Sequence, residues 1–176
     1  HYNPIIKRIR EIEKPVIAAV NGVAAGAGAN LALACDIVTA TQSANFIQAF
    51  CKIGLVPDSG GTYFLPRLIG LPKATAIMMT GESISAKKAE QMGMIYAVYE
   101  DDEFEPKSLE LAKSISEMPT KGLGYTKKLL NYSLNNSLDD QLNLEAETQA
   151  LSAKSEDHKE GIQAFLEKRS PVFTGK

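Results

Sequence analysis

The chain has 176 residues, 44% hydrophobic and 23% charged, with a formal net charge of -2 at pH 7. That is enough apolar chain for one sizeable core. The near-neutral balance leaves no basic footprint for nucleic acid, so no nucleic-acid partner is expected. No apolar run approaches the roughly 20 residues of a membrane span, so no membrane partner is expected. The start, "HYNPIIKRIREIEKPVIAAV", shows no signal peptide and no initiator Met. It reads as mid-protein, with a cytoplasmic location and an upstream portion expected. Cys35 and Cys51 lie in apolar stretches and are expected as reduced core thiols. His1 is terminal and His158 sits in polar "SEDHKEG", so no metal site is expected.

In chain order, "NPIIKRIREIE" is helical, with Ile5, Ile6, Ile9 and Ile12 at helical spacing, and Pro15 ends it. "VIAAV" reads as a short strand buried on both faces, "NGVAAGAG" as a loop, "ANLALACD" as a short helix and "IVTAT" as a second buried strand. "SANFIQAFCKIGLVPDSGG" is irregular. "GGTYFLPRLIG" reads as a helix interrupted at Pro66, and "LPKATAIMMTGE" as a helix from near Pro72 to Gly81. "SAKKAEQMG" is a further helix, capped by Ser85 and closed at Gly93, and "MIYAVYE" a third strand. From Asp101 no strand signal remains, and four helices follow. Ser137 and Asp140 suggest a weak capping box for the third. Ile162, Phe165 and Leu166 make one apolar face on the last. The expected fold is therefore α/β over residues 1–100 and all-helical over 101–176.

"GVAAGAGANLALA" admits several roles. As a dinucleotide fingerprint it has Gly26-x-Gly28 but Leu31 where the third glycine belongs. As a Walker loop it lacks Gly-Lys-Ser/Thr. Two roles stay open: an oxyanion hole of backbone N–H groups at a helix N-terminus, or close packing through small residues. Asp58 lies among Ile53, Leu55, Val56, Phe64 and Leu65. It is either a cap for the helix starting near Gly60 or a poised acid/base.

"KPVIAAVNGVAAGAGANLALACDIVTAT", "KIGLVPDSGGTYFLPRLIG", "TGESISAKKAEQMGMI" and "EGIQAFLEKRSP" together resemble the crotonase, or enoyl-CoA hydratase/isomerase, superfamily. The resemblance covers Lys14 to Pro171. The tail, with "GLGYTKKLLN" and "LDDQLNLEAETQ", is similar to the ring-1,2-epoxyphenylacetyl-CoA isomerase branch of phenylacetate catabolism. It implies a ββα spiral core, a helical region for trimer or dimer-of-trimers assembly, an acyl-CoA substrate and no other cofactor. Ala27, after Gly26, takes the place of one oxyanion donor, and the second donor belongs upstream. The two glutamates of a typical hydratase fall at Asn30 and Phe50, so both carboxylates are absent. With Gly26, these two positions are expected to face the substrate. Asp58, eight residues beyond Phe50, matches the catalytic carboxylate of the family's isomerases and aryl-CoA dehalogenases. Phe165 and Lys168 match positions near the nucleotide end of CoA.

The implied activity is proton or double-bond shift on a thioester enolate, with 1,2-epoxyphenylacetyl-CoA or a Δ3-enoyl-CoA as substrate. An apolar surround that includes Phe50 is expected to desolvate Asp58, strengthen it as a base and exclude water. The alternatives are a hydratase with atypical residues, a dehalogenase or hydrolase using Asp58 as nucleophile, and a non-catalytic CoA-binding assembly module.

Overall fold

The computed structural model describes residues 2–176. The chain forms two compact units. One holds residues 16–110 and the N-terminal helix as far as Arg10; the other holds Glu11–Pro15 and Leu111–Lys176.

The first unit opens with α1 (Asn3–Glu11), which carries no buried residue. Its Arg10 guanidinium donates to the Ala34 carbonyl (3.0 Å) and to Asp36 Oδ1 (3.2 Å). The other Asp36 oxygen accepts from the Val16 N–H (2.8 Å). Three parallel strands follow in the order β1 (Ile17–Val20), β3 (Ile37–Thr41), β6 (Ala97–Tyr99). The central β3 is buried from Val38 to Thr41, its two threonine hydroxyls bonded to Ser108 and Asp101. β1 departs from the expectation of burial on both faces: it ends the strand order and Ala19 is exposed.

A second sheet was not legible as strands. β2 (Val23–Ala25) pairs parallel with β4 (Asn45–Ile47), which pairs antiparallel with β5 (Ser83–Ser85). Each has three residues, too few for a period-2 pattern to emerge. So "NGVAAGAG" is strand before it is turn. α2 (Ala27–Leu33) and α5 (Ala86–Gln91) pack on the strands, and α3 (Gly61–Ile69) packs on α2 and on α4 (Leu71–Thr80). α3 runs through Pro66 rather than breaking there. The helix gives up one internal bond, and Thr62, whose carbonyl loses its partner, is exposed to water. Gly81 closes α4 at φ 60, and the Ser85 hydroxyl accepts from the Lys88 N–H at the head of α5.

The core is centred on the fully buried Phe46, Leu65 and Ile84, with Ala29, Leu33, Val38 and Ile77 against them. Each large side chain contributes about 1.5–3 kcal/mol by leaving water. The cysteines are free thiols but not core residues. Cys35 is half-buried, donating to the Leu31 carbonyl, and Cys51 is exposed.

α6 (Phe104–Ser116) begins in the first unit and ends in the second. α7 (Thr120–Ser133), α8 (Leu138–Ser152) and α9 (Glu156–Glu167) complete the four helices read from sequence. Ser137 caps α8 as expected: its hydroxyl accepts from the Asp140 N–H (3.2 Å) and donates to Asp140 Oδ2 (2.6 Å), so the carboxylate bonds the hydroxyl rather than the Ser137 N–H that a full capping box would use. Gly124 of α7 lies on the Glu13 backbone, where a Cβ would come within 2.7 Å of the carbonyl oxygen. Beside it the buried Lys127 ammonium donates to the Lys14 carbonyl (3.1 Å).

After α9 the tail folds back along that helix. Arg169 makes a two-pronged ion pair with Glu160 (2.6 and 2.9 Å), and the Val172 N–H donates to the same carboxylate (2.8 Å). Buried Asp157 accepts from the N–H groups of Thr174 (2.7 Å) and Gly175 (2.9 Å). The Glu156 N–H donates to the Lys176 carbonyl (2.9 Å).

Candidate active site

The chain leaves β2 at Ala25 and turns at Gly26, with φ 53 and ψ -121. This conformation is open to glycine and strained for any L side chain. Two bonds fix the turn. The Gly26 N–H donates to the Ile47 carbonyl (2.8 Å), and the Gly26 carbonyl accepts from the Asn30 N–H (3.1 Å). That second bond is the first of α2, so the N–H groups of Ala27, Gly28 and Ala29 have no acceptor within the helix. These are the donors that a helix start leaves open to an acceptor from elsewhere, and of the three residues Ala27 is half-buried, Gly28 exposed and Ala29 buried. Phe50 sits in the 3₁₀ turn Ala49–Ile53, 7% exposed, with its ring against Gly26 (3.5 Å from where a Cβ would be).

Asp58 occupies the loop before α3. Its backbone carbonyl accepts from the Gly61 N–H (2.9 Å) and from Asn30 Nδ2 (2.9 Å). The Ser59 hydroxyl donates to Asp58 Oδ1 (2.9 Å), from a residue 2% exposed and held at φ 51. Among the described residues, Oδ2 receives no hydrogen bond. The helix-cap role for Asp58 is excluded: α3 is capped by Gly60 without a side-chain bond. The expected desolvating surround is absent as well among the described residues. Asp58 is exposed, as are Ile53, Leu55 and Val56, while Leu65 points into the core. Adjacency in sequence misled here, because the irregular segment turns these apolar side chains outward.

Asn30 is 0% exposed and spends both ends of its amide inside the chain. Nδ2 donates to the Asp58 carbonyl, and Oδ1 accepts from Gln48 Nε2 (2.8 Å). This burial does not fit the expectation that Asn30 faces a substrate. Gln48 is 1% exposed, and its Oε1 has no partner among the described residues. Gly61 packs on the Asn30 amide so closely that a Cβ would lie 2.4 Å from Nδ2.

The structure thus joins Gly26, Ala27, Asn30, Phe50 and Asp58 through α2 and two loops. Phe165 and Lys168 belong to the helical unit. Phe165 is 83% exposed, not packed on its own helix bundle, and Lys168 ends α9 at φ 55 with its N–H on the Phe165 carbonyl (3.3 Å). Sequence reading missed Gln48 and Ser59. Gln48 carried one usable signal, a lone amide in the apolar run "FIQAF". No group of three or more His, Cys, Asp or Glu is arranged to hold a metal among the described residues, and no described helix is long and apolar enough to cross a membrane.

The family model described as "Enoyl-CoA hydratase/isomerase" matches residues 1–176. The chain belongs to the enoyl-CoA hydratase/isomerase family. Within it, the chain is 49% identical to the 1,2-epoxyphenylacetyl-CoA isomerase of Escherichia coli K12, over 99% of this chain and 67% of the relative. It is 47% identical to a probable enoyl-CoA hydratase of Rhodobacter capsulatus, over 99% of this chain and 68% of the relative. A crystal structure of an enoyl-CoA hydratase/isomerase family protein from Mycobacterium abscessus superposes with a TM-score of 0.96 at 38% identity, covering 100% of this chain and 68% of that one. The chain thus spans about two thirds of the length of these enoyl-CoA hydratase/isomerase relatives. Its architecture is the crotonase fold, as the sequence resemblance implied.

Proposed function

We propose that this chain belongs to an acyl-CoA isomerase in which Asp58 is the one proton-transferring carboxylate. The observation that carries this reading is the pair of hydratase glutamate positions. One holds Asn30, buried with its amide spent; the other holds Phe50, packed on Gly26. Neither side chain can accept a proton from water at neutral pH. Asp58 remains, its backbone held by two donors and its Oδ2 open.

In the proposed reaction the thioester oxygen accepts from the Ala27 N–H and from a donor outside this sequence. Fixed donors of this kind are worth roughly 3–4 kcal/mol each as negative charge develops on the oxygen. Asp58 Oδ2 removes a proton from carbon, leaving an enolate. It then returns that proton at another carbon of the conjugated system. No atom is gained or lost, so no co-reactant is required, and one carboxylate serves as base and then acid. The printed name of the Escherichia coli relative favours 1,2-epoxyphenylacetyl-CoA as substrate, and there the electron pair released by proton removal would also open the epoxide ring within the molecule, its oxygen retained in the product. A Δ3-enoyl-CoA suits the same chemistry. Assembly as a trimer or dimer of trimers, and CoA contacts from Phe165 and Lys168, are part of this reading.

The second reading, enoyl-CoA hydration with atypical residues, is favoured by the hydratase named among the relatives. One experiment separates them. Wild-type and Asp58→Asn proteins are assayed on a 3-enoyl-CoA, a 2-enoyl-CoA and an aryl epoxide CoA. The expected result is isomerisation by the wild type and a loss of about 10²–10⁴-fold in the variant, with the unfolding midpoint unchanged. Rapid hydration of the 2-enoyl-CoA, undiminished in Asp58→Asn, would overturn the proposal.

A further inference from the structure

We infer that Gln48 and Asn30 form a two-amide strut that sets where Asp58 stands relative to the Ala27 N–H. Asparagine at residue 30 thereby commits the site to a single carboxylate. The inference rests on Asp58 being the base. Asn30 lies one turn into α2, the helix that Ala27 begins. Through Nδ2 it reaches across 28 residues of sequence to the carbonyl of Asp58. The same side chain therefore belongs to the helix that presents the donor and holds the loop that presents the base. Their spacing is the reaction's critical dimension, because an error of about 1 Å in such a placement can cost 100-fold in rate.

A side-chain amide suits this place. The strut runs in series: Gln48 Nε2 donates to Asn30 Oδ1, and Asn30 Nδ2 donates to the Asp58 oxygen. A residue here must accept at one end and donate at the other. A carboxylate would turn a lone pair toward the Asp58 carbonyl and bury an uncompensated charge. A glutamate would also be longer by a methylene, where the Asn30 amide already lies against Gly61 with no room for a Cβ. A water-activating glutamate at residue 30 and an Asp58 loop pinned in this manner exclude each other. Gln48 supports the arrangement at its own cost, since its Oε1 stays buried with no partner among the described residues.

The strut acts on the reacting oxygen through the loop. With the Asp58 carbonyl held twice, Ser59 is kept at φ 51 and its hydroxyl occupies Oδ1, which leaves Oδ2 as the free oxygen. Gln48 and Asn30 are positioning residues in this scheme: neither touches substrate.

The test uses three variants of the intact protein: Asn30→Asp, Asn30→Glu and Gln48→Met. Asp58→Asn is the control, and thermal unfolding identifies any variant that fails to fold. Hydrogen exchange at the Gly61 N–H reads the strut without reference to catalysis, and kcat and KM read its effect on the reaction. Faster exchange at Gly61 is expected in all three variants. kcat should fall about tenfold in Gln48→Met and about 100-fold in the Asn30 variants, with KM within a factor of two. Asn30→Glu should gain no hydration of a 2-enoyl-CoA. Should Asp58→Asn keep its turnover, the base assignment fails, while Gly61 exchange still decides whether the strut holds the loop. Unchanged exchange and unchanged kcat in a folded Gln48→Met would overturn the inference. So would faster exchange with kcat intact, or an Asn30→Glu that hydrates and still isomerises.

Discussion

Gly61→Ala offers a direct measure of how tightly the loop below Asp58 is packed. The substitution is ordinarily mild at a helix start, since Ala gains up to about 1 kcal/mol over Gly in helix propensity. Here the new methyl would lie 2.4, 2.7 and 2.8 Å from three atoms of the Asn30 amide. A free side chain could swing aside, but this amide is bonded at both ends. Forcing it away overpacks a filled site, at about 1–3 kcal/mol. It also strands a buried amide and a carbonyl, at about 1–3 kcal/mol more. The net is destabilisation by about 3 kcal/mol, or roughly 6–12 °C in the unfolding midpoint for a chain of this size. Calorimetry or circular dichroism reads this directly. The same substitution in an Asn30→Ala background should be nearly neutral, because the clash partner is gone. A midpoint unchanged or raised in Gly61→Ala, or additivity of the two changes, would refute the reasoning.

Two further outcomes follow from the same structure. Gly28→Ala adds a methyl to α2 with nothing within 4 Å, so it should raise the midpoint by about 1–3 °C, opposite in sign to Gly61→Ala. In the tail, the Arg169 guanidinium, and after it the Val172 N–H, hold the Glu160 carboxyl down at about 2 against an ordinary 4.5. A depressed carboxyl stabilises the fold above its ordinary value and loses that contribution as pH falls through the folded value. The tail should therefore stay docked at pH 4 and release as pH falls through about 2. Hydrogen exchange at the Val172 N–H against pH measures this; protection already lost at pH 4 would contradict it.

Apolar blocks set off by punctuation were the readable part of the fold. "IVTAT" and the helices after Asp101 declare themselves because their patterns persist long enough to be counted. β2, β4 and β5 do not, since three-residue strands exist by virtue of their partners rather than their own sequence. At the candidate site, resemblance singled out Ala27 and Asp58 where local chemistry alone leaves each with two roles. The bond from Asn30 to Asp58 was beyond reach: it depends on where two loops meet, and no periodicity encodes that. The exposure of Asp58 was misjudged for the same reason. Its apolar neighbours in sequence are not its neighbours in space.

The interleaving of the two units carries a practical consequence for anyone dissecting this protein. Glu11–Pro15 belong with the C-terminal helices although the chain around them builds the sheets. Cloning from Leu111 onward would yield a fragment lacking the backbone on which Gly124 rests. It would also leave the buried Lys127 ammonium without the Lys14 carbonyl that receives it. The helical unit is not a portable cassette. A split into two expressible halves would have to supply that five-residue segment in trans or graft it onto the helical half by circular permutation.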